Sequence, residues 1–165
     1  MRHLAPCLIL CSSLAALPVL GAPTTLSAAD QAAAFKAAGF TQRGGQWRSG
    51  CDDPGTPSYT PGQIEQVRDL NGDGRPEALI TEGGTYCYGM SGSGFSLVSQ
   101  QADGQWRLMT TATGLAGFLP TRGAGGWPDI EVGGPGFCFP VMRWNGKAYA
   151  LHRHEYEGQR CKMRR

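Results

Sequence analysis

Along most of the chain apolar and polar positions alternate in short stretches broken by Gly, Pro, Asn and Asp, a strand-and-turn pattern. Ser27 to Ala38 is the exception. Ser27 suits an N-cap, Asp30 lies in the first turn, Ala fills the interior, and Gly39 follows, which predicts a helix over 27–38. Its apolar content is mostly Ala plus Phe35, so it must pack on something larger. Phe40 to Arg48 holds Gly44-Gly45 between two short segments and predicts a hairpin. Cys51 to Gly62, rich in Pro, Gly, Ser and Asp, predicts a loop. Strands are expected at Ala78–Thr81, Gly94–Gln100 and Gln105–Thr110. Val141–Trp144 and Lys147–His154 flank Asn145-Gly146, a signal for a tight two-residue turn, and Pro140 belongs at a strand start or an edge.

Parts of this pattern recur. Gly45-Gln46-Trp47-Arg48 returns as Gly104-Gln105-Trp106-Arg107, with a looser echo at Gly146-Lys147-Ala148-Tyr149. Gly74-Arg75-Pro76-Glu77 is echoed by Gly126-Trp127-Pro128-Asp129, and Tyr86-Cys87-Tyr88 by Phe137-Cys138-Phe139. Residues 69–110 and 121–151 therefore read as two copies of one unit: turn, strand, Gly-rich connection, hairpin. Spacing of this size suggests propeller blades or a related repeat. The expected fold is mainly β: a small antiparallel domain of propeller-blade-like repeats with one N-terminal helix.

Composition supports that reading. The 165 residues suffice for one domain, and 25 Gly with 11 Pro disfavour a helical bundle. A formal charge of +2 carries no basic footprint for nucleic acid. At the start, Arg2 and His3 precede an apolar run, Leu8 to Leu20, that ends at small residues. This is the layout of a secretory signal peptide over 1–21, too short and too interrupted by Pro18 for a membrane span. A single β-rich domain over 22–165 is expected, in the periplasm or secreted.

Cleavage there leaves Cys51, Cys87, Cys138 and Cys161. An even count in an exported chain points to two disulfides, with three pairings open. Cys51–Cys87 and Cys138–Cys161 are preferred because each closes a short local loop. No C-x-x-C pair supports a zinc site.

One motif carries chemistry. Asp69-Leu70-Asn71-Gly72-Asp73-Gly74-Arg75-Pro76-Glu77 sets side-chain oxygens at loop positions one, three, five and nine, with the Arg75 carbonyl available at seven. A hard cation takes ligands in this order, and Ca²⁺ in a structural role is the expected cofactor. Ile80 at position twelve and a following strand-like run exclude an EF-hand. The same residues also make a good turn without an ion. The second copy has Thr121, Gly123 and Gly125 in the ligand positions and lacks the set.

This loop before a strand, within an apparent repeat, resembles the FG-GAP/VCBS family over about residues 67–110. That resemblance implies β-propeller blades with Asp69, Asn71, Asp73 and Glu77 as calcium ligands. Size, export signal and calcium loop are also loosely similar to periplasmic lysozyme inhibitors of the PliI type, which implies a protein partner.

Other candidates are weaker. His152 and His154, near Glu155 and Glu157, have a spacing that suits Zn²⁺ or Cu²⁺, but also suit the polar face of an edge strand. No phosphate-binding Gly motif or complete G-x-S-x-G frame is present. Trp47, Trp106, Trp127 and Trp144 are expected in the core rather than on a contact face. The expected function is non-catalytic binding of an envelope protein, sharpest as inhibition of a peptidoglycan-cleaving enzyme, through contact loops Gly83–Gly94 and Gly133–Gly136. The alternatives are an exported hydrolase, which needs Glu82, Asp129 and Glu131 to converge in a cleft, and an envelope stability factor without a specific ligand.

Overall fold

The computed structural model describes residues 25–162, so the signal-peptide reading of residues 1–21 lies outside the described residues. Helix α1 (Ala28–Ala37) leads into the hairpin β1 (Thr41–Arg43) and β2 (Gln46–Arg48). A meander follows: β3 (Thr60–Arg68), β4 (Glu77–Gly83), β5 (Ser93–Gln100) and β6 (Trp106–Thr113), with a one-turn helix α2 (Thr85–Tyr88) between β4 and β5. A second meander holds β7 (Leu115–Arg122), β8 (Pro128–Gly133), β9 (Phe139–Trp144) and β10 (Tyr149–Tyr156), and β11 (Gln159–Arg160) ends it. The fold is mainly β. The two sheets run β1-β2-β3-β4-β5-β6 and β11-β10-β9-β8-β7, antiparallel throughout.

The sheets face each other. Leu79, Phe95, Leu97 and Met109 from the first meet Ile130, Trp144 and Tyr149 from the second in one buried cluster. Side chains alternate across a strand, so Ala78, Ile80 and Val98 point the other way. There they bury against Ala34 and Phe35 of α1 and against Phe40. The molecule is thus helix on sheet on sheet, a layered solution in which each element buries its one apolar face.

The helix forms where its caps predict. Ser27 Oγ accepts from the Asp30 N–H at 3.1 Å, and Gly39, at φ +83°, lies just past the end. Asp30 also receives the Trp106 indole N–H at 3.4 Å and the Gln100 amide at 3.3 Å, tying the helix start to β5 and β6.

Two local expectations are corrected. The loop predicted over Cys51–Gly62 ends at Tyr59, and Gly62 pairs with Trp47 inside β3. A Cβ on Gly62 would stand 2.5 Å from the Phe40 ring, so this glycine marks a close approach rather than a turn. The Asn145-Gly146 hairpin has four connecting residues, because Trp144 pairs with Tyr149. The Asn145 side chain stabilises the longer loop by accepting from the Lys147 and Ala148 N–H groups.

The meanders share strand order, and Cys87 and Cys138 both sit in the connection before the third strand of their meander. Leu79 and Ile130 both point into the shared core, as the 51-residue echo of the Tyr-Cys-Tyr segment requires. The 52-residue echo of Pro76-Glu77 in Pro128-Asp129 does not follow the faces. By alternation Glu77 lies on the inner side and Asp129 on the outer.

Candidate functional site

The loop 69–77 joins β3 to β4 at one end of the sandwich. Asp69 organises it: Oδ1 accepts from the Gly72 and Asp73 N–H groups at 2.7 and 3.1 Å, and Oδ2 from Gly74 at 2.9 Å. Asn71 Oδ1 accepts from the Asp73 N–H at 2.9 Å. Asp73 Oδ2 takes a hydrogen bond from Asn71 Nδ2 at 3.0 Å and an ion pair from the Arg75 guanidinium at 2.5 Å. Glu77, 1% exposed, turns inward and accepts from the Leu70 N–H and the Ser99 hydroxyl, each at 2.7 Å.

The four predicted side chains therefore come from one tight loop, but their oxygens serve the loop's own N–H groups, the Arg75 guanidinium and Ser99. Among the described residues no group of three or more His, Cys, Asp or Glu is arranged to hold a metal ion. The donor chemistry still suits a hard cation. Burial pushes Glu77 up to about 7, against the pull of its two donors, and the charges of Asp73 and Asp69 push in the same direction. A cation here would relieve that repulsion.

The opposite end carries the Gly-rich segments. β4 ends and β5 begins there (Gly83 pairs with Ser93), as do the β7–β8 pair Leu115 and Gly133 and the start of β9. Gly114 links the sheets at this end, donating to the Ser93 carbonyl at 2.8 Å. It sits at φ +130°, and a Cβ would fall 2.3 Å from the Gly133 carbonyl oxygen. Large apolar side chains stand out from this end: Met90 is 88% exposed, Phe137 74%, Tyr86 63%, Leu115 60% and Tyr156 43%. Phe137 and Phe139 both pack on Tyr156, with ring centroids 6.4 and 6.2 Å apart. The disulfides are Cys51–Cys87 and Cys138–Cys161, so bridges adjoin Tyr86 and Phe137. They indicate an oxidising environment, extracellular or periplasmic. No helix among the described residues is long and apolar enough to cross a membrane.

The three carboxylates of the hydrolase reading lie on opposite sides of the molecule. Glu82, in β4, shares the helix-side face with Ile80, and Asp129 and Glu131 share the outer face of β8. Glu82 accepts from the Ser49 N–H at 3.0 Å, the Ser49 hydroxyl, and the Tyr59 and Tyr88 hydroxyls at 2.8 and 2.6 Å. Burial works to raise its pKa, and these four donors outweigh it and hold it below the usual glutamate value. Tyr88 moves up, through burial and then through Glu82. Asp129 is fully buried and held by Arg143 Nε and Nη2 at 2.8 Å each, Arg153 at 2.6 Å and the Thr121 hydroxyl at 2.6 Å. Burial opposes its ionisation, but the two guanidinium groups and Thr121 prevail and hold it far below the usual carboxylate range. Arg153 also bonds Glu155.

Sequence reasoning missed both hubs. Asp129/Glu131, Val141/Arg143 and Arg153/Glu155 occur at i, i+2 spacing on adjacent strands, which is the signal that could have shown the second. Trp127 and Trp144 are buried, and Trp47 and Trp106 are half-buried against the helix-side cluster. His152 is exposed and His154 half-buried, on a strand that β11 covers only at Glu155 and Tyr156. Comparisons with family models, with characterised proteins and with solved structures return no match.

Proposed function

We propose that this chain is an exported, non-catalytic binding protein that docks on an envelope protein through its apolar end, and that Ca²⁺ stabilises it from the other. The sharpest form of the proposal is an inhibitor of a peptidoglycan-cleaving enzyme, in keeping with the loose PliI-type resemblance. The observation that carries it is the gathering of Tyr86, Met90, Leu115, Phe137 and Tyr156 at one end of the sandwich. Exposed aromatic and Met side chains are what interface anchors are made of. Two bridges hold the loops that carry Tyr86 and Phe137, which lowers the ordering cost of binding.

For the ion, in line with the FG-GAP/VCBS resemblance, Asp69, Asn71, Asp73, Glu77 and the Arg75 carbonyl supply the ligands. Ca²⁺ displaces the Arg75 guanidinium from Asp73 and neutralises the carboxylates that now repel Glu77. Its role is structural.

The test is capture of partners from an envelope fraction, with and without chelator, beside inhibition assays on several lysozyme classes. Stoichiometric inhibition, lost in the Met90→Asp/Phe137→Ser double variant, is the expected result. Activities left untouched across all classes remove the inhibitor reading. A melting temperature that EDTA leaves unchanged removes the calcium.

A further inference from the structure

Between β3 and β7, at the loop end and away from the apolar patch, lies a cleft of about 390 Å³. Arg68 and Arg122 stand in its wall, one from each sheet, beside Phe118, Leu119 and Pro120. The cleft opens where β7 leaves its partner: pairing with β8 stops at Phe118 and resumes at Arg122. Pro120, which has no N–H to give, lies within that interval, and β7 is an edge strand.

The charge in this cleft is unbalanced. Two guanidinium groups stand in its lining against one carboxylate, Asp69, whose oxygens accept from the N–H groups of its own loop. Neither Arg68 nor Arg122 makes an ion pair among the described residues. Arg68 lies over the Phe118 ring, 5.6 Å from its centroid. Arg122 is fixed on one side only: Nη1 donates to the Leu70 carbonyl at 2.8 Å and to the Gly126 carbonyl at 2.5 Å. Its Nε–Nη2 edge makes no hydrogen bond to the described residues. That edge presents two parallel N–H groups, the fork that grips a carboxylate. Arg143 uses the same edge on Asp129, at 2.8 Å for both bonds.

We propose that this cleft is a binding site for an organic carboxylate that carries an apolar group. The free edge of Arg122 takes the carboxylate, Arg68 closes over it with a second positive charge, and the apolar group lies against Phe118, Leu119 and Pro120. A compact inorganic anion would leave that apolar wall unused. The site does not depend on the partner-binding proposal, because it lies at the other end of the sandwich.

The test is a two-dimensional NMR titration of the full folded domain with N-acetyl-L-phenylalanine, its amide, 3-phenylpropionate and inorganic phosphate. The free acids should shift, saturably, the Phe118 and Leu119 amides and the Arg122 Nε–H signal, and the amide should not. Stronger binding of N-acetyl-L-phenylalanine than of 3-phenylpropionate supports a peptide C-terminus as the source, and equal binding supports a small apolar acid. Arg68→Gln should weaken the acids about tenfold with no loss of melting temperature. Arg122→Lys, which keeps the charge and loses the fork, should weaken them at least as much. Equal binding of acid and amide, phosphate binding as tightly as the acids, shifts scattered over the surface, or an Arg68→Gln affinity equal to wild type would each overturn the proposal.

Discussion

The outer faces of the two sheets occupy equivalent places and solve opposite problems. On the first sheet Ala78 pairs with Val98, and Ile80 with Ser96. Around these pairs the face is apolar and α1 covers it with Ala34 and Phe35, while toward the end of β4 the buried Glu82 is held by Ser49, Tyr59 and Tyr88. On the second sheet Glu131 pairs with Val141, and next to them Asp129 meets Arg143 in a bidentate ion pair. Among the described residues no helix lies on this face, and beside the buried Val141 its buried positions hold Asp129 and Glu155, charges satisfied within the curled sheet. A face of a sheet can be closed by an apolar cover or by an internally paired charge layer. The second is stable only while every partner is present.

The same contrast separates two buried carboxylates. Asp129 has two guanidinium partners, and its pKa falls. Glu77 has one N–H and one hydroxyl, with two like charges near, and its pKa rises to about 7. Burial opposes the charge in both, and the partners decide the outcome.

The comparison can be broken by substitution. Asp129→Asn takes from Arg143 its only ion-pair partner among the described residues and leaves Arg153 with Glu155 alone, and should cost about 3–5 kcal/mol in a urea melt. A loss under 1 kcal/mol would mean that the charge layer is ornamental. Ile80→Ala should cost about 2–5 kcal/mol, whereas Glu131→Ala, at the matching outer position of the second sheet, should stay within about 0.5 kcal/mol. Equal costs would erase the distinction between the faces.

For Glu77 the folded protein binds the proton more tightly than the unfolded chain. Without divalent ions, stability should therefore fall as pH rises from 4.5 through 7, by on the order of 3 kcal/mol. Carboxyl NMR should place the Glu77 midpoint near 7. A midpoint near 4.5 would refute its isolation, and added Ca²⁺ should lower the midpoint. Asp129 acts with the opposite sign: its contribution is present above the unfolded carboxylate value near 3.8 and is lost as pH falls below it. The smallest effect is expected from Ser27→Ala, about 1 kcal/mol, which loosens only the cap of the covering helix.

Local signals wrote a large part of this molecule into its sequence. The caps of α1, the Gly44-Gly45 hairpin and β4 to β6 rest on neighbours within a few turns or one loop, and such preferences act before any tertiary contact forms. Other features were decided only by the packed fold. Gly62 reads as a loop residue until Phe40 closes on it, and Asn145-Gly146 reads as a two-residue turn until Trp144 meets Tyr149. Glu77 and Asp129 look like copies of one acid until strand alternation turns them to opposite faces. The physical reason is range: turn and cap energies are local, whereas burial, ion pairing and the gathering of Tyr86, Met90 and Phe137 at one end depend on strands distant in the chain being brought side by side.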